Sequence, residues 1–347
     1  MKKGTEKTAG IASALLAALA VACVAARLPA GFGQNTAVAA AGFILPYGAA
    51  EEYRSADEDD GSASSVPPAS SARSSSAPQS SSSAPPSSSA GTPARKGKVE
   101  EMCINTGGTR YQNMWVRNSN ANHTVDIGKE LAKRPDIDIK KNAGPQVLIY
   151  HTHTTEAFEG VTRTTDKTKS VCAVGDRIAK QLEAAGIGVV HDTTYHDYPA
   201  YNGSYNRSIV TMKNNLKKYP SIQVTLDIHR DAMTRSDGTR LKPTAVIGGK
   251  KAAQVMIIAG CDDTGDLGFP DWEHNLRFAL RLQQSVSGLY PNLARPLSFC
   301  PRRYNENVTH GSLLVEIGTD ANTLDEALYT GELFGKSLAA ALLQLQG

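Results

Sequence analysis

The sequence predicts an α/β domain with a mostly parallel central sheet flanked by helices on both faces. Three observations carry this prediction. Short apolar runs of strand length recur between residues 145 and 317, amphipathic stretches of helical length separate them, and glycine or proline marks most of the joins. Val147-Leu148-Ile149-Tyr150 follows the turn pair Gly144-Pro145, and its unbroken apolar character suits a central strand covered on both sides. Ser170 to Ala185 reads as a helix with Val171, Val174, Ile178 and Leu182 on one stripe and Gly186 as its stop. Ile187 to His191 is the next strand, Tyr205 to Tyr219 a helix ended by Pro220, and Ile222 to His229 a third strand. Gln254 to Ala259 reads as a fourth strand and Trp272 to Leu289 as a long amphipathic helix before Pro291. Ser312 to Ile317 gives the last strand and Leu324 to Leu345 the closing helix, with Asn322 or Thr323 placed to cap it.

The first hundred residues follow other rules. Lys2, Lys3 and Lys7 precede an uncharged run from Ala9 to Ala26, closed by Arg27. About 18 apolar residues behind a positive flank suit a single membrane span with the N-terminus inside and the rest of the chain exported. The competing reading is a signal peptide cleaved near Ala37-Val38-Ala39. Ser55 to Arg95 is dominated by Ser, Ala and Pro, and nothing else occurs from Ser80 to Ser89. Such a segment buries too little apolar area to offset chain entropy, so it reads as a disordered tether. The expected organisation is an N-terminal stub and anchor over 1–30, a linker over 31–98 and one folded domain over 99–347.

Charge excludes one class of partner. The net charge of the 347 residues is only +3, and lysine or arginine clusters no further than doublets such as Lys140-Lys141 and Arg302-Arg303. Nucleic-acid binding would need a concentrated basic face, and none is present. The five cysteines show no CxxC spacing, so they read as core or surface residues.

The unusual polar residues fall at predicted strand ends, where ligands gather in folds of this kind. His151-Thr152-His153-Thr154-Thr155-Glu156 begins where the first strand stops, and His229 ends the third. Two imidazoles and one carboxylate make a common catalytic zinc set, with the fourth position left open. The candidate metal ligands are therefore His153, Glu156 and His229, with His151 as the alternative to His153. Glu316 lies inside the apolar strand Leu314-Val315-Glu316-Ile317, where an acid is costly without a function, and is the candidate catalytic acid–base. Asp231 is placed to hold His229, and Arg302, Arg303 and Asn305 are candidates for contacting substrate or stabilising an oxyanion. His123, His191, His196, His274 and His310 read as structural.

These motifs resemble the stage II sporulation protein P family. The resemblance runs through VLIYHTHTTEAF (Val147 to Phe158), TTDKTKSVCAVGD (Thr164 to Asp176), LDIHRDA (Leu226 to Ala232), AQVMIIAG (Ala253 to Gly260), WEHNLRFALRL (Trp272 to Leu282) and RYNENVTHGSLLVEIGTDANTLDE (Arg303 to Glu326). It implies a zinc-dependent N-acetylmuramoyl-L-alanine amidase that cuts peptidoglycan between the glycan and its stem peptide, with an added endopeptidase action on cross-links. It also implies work at the sporulation septum during forespore engulfment, beside stage II sporulation proteins D and M. On this likeness His153, His229 and Glu316 take the metal and catalytic places, and the middle carboxylate is Glu156 or, by analogy with related amidases, Asp166. Glu306 stands where the family pattern has glutamine. Two other classes remain open: a catalytically silent peptidoglycan-binding scaffold, and a carboxypeptidase-like zinc metallopeptidase.

Overall fold

The computed structural model describes residues 97 to 346 and the short strand β1 (Thr92–Pro93). The expected membrane span and nearly all of the expected linker lie outside the described residues. No described helix is long and apolar enough to cross a membrane. β1 falls within the stretch expected to be disordered, yet it pairs antiparallel with β6 (Val161–Arg163) and so joins the folded domain.

The main sheet has eight strands. In spatial order they are β3 (Thr109–Tyr111), β4 (Met114–Asn118), β12 (Leu297–Cys300), β11 (Val255–Gly260), β13 (Gly311–Thr319), β8 (Val224–Asp231), β5 (Pro145–Tyr150) and β7 (Gly188–His191). Five of the seven neighbouring pairs are parallel; β3 with β4 and β11 with β13 are antiparallel. The expected mostly parallel sheet is therefore present, with a reversal of strand direction between β11 and β13. A small second sheet, β10 (Lys250–Ala253), β9 (Arg240–Ile247) and β2 (Val99–Met102), was not legible as strands in the sequence. Its hairpin turns on Gly248-Gly249, both at positive φ, the conformation that a two-residue turn of this hand requires.

Helices cover both faces. α2 (Val171–Ala184), α4 (Trp272–Leu289) and α5 (Leu324–Leu343) pack on one face, where Val171, Val174, Ile178 and Leu182 meet Val147, Ile149, Ile228, Val315 and Ile317 in the main core. α2 starts at the cap Ser170 and α5 at Thr323, whose hydroxyl accepts from Glu326 N while the Glu326 carboxylate returns to Thr323 N. The opposite face carries α3 (Ser204–Lys218), with Met212 against Leu148 and Tyr150. A short helix α1 (Ile127–Ala132) contacts α4. Because β5, β8 and β13 run side by side in one direction, Tyr150 lies across from Asp227, and His229 across from Glu316. That register sets the next level of structure.

Candidate functional site

Alternation along β8 puts Asp227, His229 and Asp231 on one face, and the register with β13 puts Glu316 beside His229. β5 ends at Tyr150, and the turn after it carries His153 and Glu156 to the same place. His153, Glu156, His229 and Glu316 are all buried. Glu156 Oε2 lies 3.5 Å from His229 Nδ1 and accepts the backbone N–H of Arg230 at 3.0 Å. The other His229 nitrogen, Nε2, is 2.8 Å from Asp227 Oδ1, a buried ion-pair contact. The His153 ring stands edge-on to His229 with centroids 5.2 Å apart.

Burial is the largest single influence on each of these titrations, but it does not always set the direction. It drives the His153 imidazole down to about 3 and pushes the Glu316 carboxyl well up, a rise that neighbouring Asp231 adds to. For Glu156 burial works toward neutrality, but the Arg230 guanidinium and then His229 hold it below the ordinary carboxylate range. For His229 burial opposes the charge, yet Asp227 and Glu156 together raise it well above an ordinary imidazole. Both carboxylate oxygens of Glu316 are buried and accept no hydrogen bond among the described residues. Orphaned carboxylate oxygens next to two imidazoles and a second carboxylate are what a catalytic metal site uses, so the residues fit a zinc-class cation in donor chemistry. In spacing they fit less closely: the donor atoms of His153, Glu156 and His229 do not all lie within 4.8 Å of one another. His153 would have to turn from Tyr201, whose ring stacks on it at 4.6 Å and whose hydroxyl is 3.3 Å from Nε2.

The structure separates the alternatives left open by the sequence. His151 points elsewhere: its Nδ1 is 2.8 Å from the Ile228 carbonyl and its Nε2 2.8 Å from His191 Nε2. Asp166 caps a surface turn, bonded to Thr168 and paired with Lys169, whereas Glu156 reaches His229. The remaining candidate residues have other partners in the structure. Asp231 does not hold His229; it pairs with Arg295 at 2.8 Å, and Asp227 is the carboxylate at the imidazole. Arg302 and Arg303 bond backbone carbonyls at Pro301 and Leu267, which ties them to loops, and Arg303 is exposed. Asn305 is buried in the left-handed conformation and holds α3 through the Tyr205 carbonyl and Ser208 hydroxyl. Glu306 is also buried, accepting from Gly260 N at 2.7 Å, so it supports the sheet and does not face solvent.

The sequence reading missed Asp227, Arg230, Arg295 and Tyr201. Asp227 was detectable, since the residue two before a strand-end histidine shares its face. Arg295 and Tyr201 arrive from distant loops and left no local signal.

Fold and site together define an α/β protein with a buried histidine–carboxylate cluster on one face of a mostly parallel sheet. A profile of the family "Stage II sporulation protein P (SpoIIP)" matches residues 52–339, and the chain belongs to that family. Stage II sporulation protein P of Bacillus subtilis (strain 168) is 30% identical over 198 residues, covering 52% of this chain and 47% of that relative. The chain thus spans about half the length of the curated relative it matches. Among solved structures, N-acetylmuramoyl-L-alanine amidase AmiC2 of Nostoc punctiforme aligns over 58% of this chain and 96% of its own, at 13% identity and a TM-score of 0.35. The CwlD amidase from Clostridioides difficile, in complex with the GerS lipoprotein, aligns over 57% and 94%, at 14% identity and a TM-score of 0.33.

Proposed function

We propose that this chain is a zinc-dependent peptidoglycan hydrolase that cuts the amide between N-acetylmuramic acid and L-alanine, and also peptide cross-links, during septal wall remodelling and engulfment in sporulation. Family membership supports the setting, and the observation that carries the chemistry is Glu316: a buried acid in register with His229, with neither oxygen engaged. His153, Glu156 and His229 would hold the ion, and Asp227 would orient His229 from behind. Zinc, when bound, supplies polarisation of the scissile carbonyl. Glu316 takes the proton from the attacking water and returns it to the leaving amine, and burial raises its hold on that proton. Tyr201 stacks on the His153 ring and fixes its present orientation. The apolar run Ala9–Ala26 anchors the chain in the cell membrane with this domain outside, and stage II sporulation proteins D and M are its partners.

The test uses the whole purified chain in detergent with peptidoglycan, with and without chelator, beside Glu316→Gln and His229→Ala. The proposal expects free stem peptides from the metal-loaded wild type alone, and cleaved cross-links among its products. If every form binds wall and none releases peptide, the chain is a silent wall-binding module.

A further inference from the structure

The reversal of strand direction between β11 and β13 gives this sheet a carboxyl edge at each end. β5, β8 and β13 deliver their ends to the site above, while β4, β12 and β11 run parallel to one another and end on the opposite side. Met256 is the register partner of Glu316, and β11 continues from it to Gly260, roughly 13 Å further at about 3.3 Å per residue. Carboxyl edges are where α/β sheets receive ligands. At this second edge His123, Cys261 and Asp263 converge, with one donor atom from each lying within 4.8 Å of the other two.

The cluster is built by the backbone. Asp263 Oδ2 accepts from Ala121 N and Oδ1 from Asn122 N, both at 2.9 Å, and the Asn122 side chain donates to the Asp263 carbonyl at 3.0 Å. These bonds fasten the loop after β4, which carries His123, to the loop after β11, which carries Cys261 and Asp263. The His123 ring is half-buried and rests on Trp272 with centroids 4.8 Å apart; Cys261 and Asp263 are buried. The carboxylates of Asp263, Glu273 and Asp262 lie near enough to the Cys261 thiol to act on it by charge. Several carboxylates around a thiol favour the arrival of a cation.

We propose that His123, Cys261 and Asp263 form a second divalent-metal site for a zinc-class ion, separate from the His153–Glu156–His229 set. One sulfur, one nitrogen and one oxygen donor select a borderline-soft ion over magnesium or calcium, with the fourth position left to water. On binding, the Cys261 S–H bond breaks, its proton passes to solvent and the thiolate becomes the ligand; no electron is transferred. The ion would staple the loops after β4 and β11 at the end of the sheet away from Glu316. A plain structural knot, with Asp263 bonding backbone and Cys261 filling core, predicts no metal dependence on these side chains.

The experiment titrates the whole, metal-stripped chain with Co2+ and follows the sulfur-to-cobalt charge-transfer absorption. The proposal expects this band in the wild type, its loss in Cys261→Ser, and at least tenfold weaker Co2+ binding at this site in His123→Ala. His123 is half-buried, so His123→Ala keeps the test alive if Cys261→Ser does not fold. The band must persist in Cys300→Ser and in His229→Ala, which makes failure here distinguishable from failure at the Glu316 site. Absence of the band in wild type, or its survival unchanged in Cys261→Ser or His123→Ala, overturns the proposal.

Discussion

Replacing Arg295 with methionine should unsettle the protein more than any exposed charge change. Arg295 Nη1 lies 2.8 Å from Asp231 Oδ2, and the two side chains are only 8% and 5% exposed. Coulomb's law with an effective dielectric of about 20 gives a gross attraction of about 6 kcal/mol at that distance, much of it offset by desolvation of both ions. Arg295→Met leaves the desolvation of Asp231 in place and removes its compensation, so the expected loss is about 3–5 kcal/mol. The same change acts on the site, because the Arg295 charge restrains the upward shift of Glu316 that Asp231 promotes. Activity in folded Arg295→Met should therefore rise with pH later than in wild type. The assay is urea unfolding with chelator present, on wild type, Arg295→Met, and Asp231→Leu combined with Arg295→Met. The double variant removes both charges and should regain most of the lost stability. A loss below about 1 kcal/mol in the single variant, the range of exposed ion pairs, would refute this reasoning.

Four further outcomes can be checked. Glu316→Gln should fold normally yet lose about 10²- to 10⁴-fold in wall-hydrolysis rate, the usual contribution of a positioned acid–base, measured by stem-peptide release. Metal-free wild type should lose stability relative to Glu316→Gln as pH rises above the ordinary carboxylate range. The folded state keeps a proton that the unfolded chain has released, so the slope is negative and at most about 1.4 kcal/mol per pH unit, read from urea midpoints across a pH series. Phe278→Ala, which empties a fully buried place under the sheet, should cost about 3–5 kcal/mol by the same unfolding assay. Gly175→Ala sets a new Cβ 2.5 Å from His191 Nε2 and 3.0 Å from His151 Nε2, so it should destabilise by about 1–3 kcal/mol and shift both imidazole signals in NMR.

The main sheet was legible because its central strands are buried on both faces and must be continuously apolar. Val147 to Tyr150 and Ser312 to Ile317 carry that pattern, and both are strands. The outer strands of the small second sheet were not legible. Val99–Met102 and Lys250–Ala253 are short, half-exposed and charged, so their strand character comes from pairing with β9 and not from composition. Strand direction was equally hidden, since an apolar run reads the same either way; only the connection from β11 through α4 and β12 to β13 reverses it. At the site, His153, Glu156, His229 and Glu316 were visible because each breaks a local rule. Asp231 and Arg302 broke similar rules for another reason, an ion pair with Arg295 in one case and a loop contact in the other. Local sequence marks a residue as unusual, but its partner comes from elsewhere in the chain.

The strands that hold His229 and Glu316 begin at Val224 and Gly311, and the one that presents His153 begins at Pro145. Neighbours in space are thus some eighty residues apart along the chain, and closing loops of that length is among the later events of folding. The last of the three strands is followed by the closing helix α5. A chain synthesised only as far as β8 carries His153, Glu156 and His229 without Glu316, and the cluster is incomplete until β13 pairs with β8. A cut anywhere between His153 and Glu316 places members of the cluster on two separate fragments. The cluster is thus assembled by topology, and only when the domain is whole.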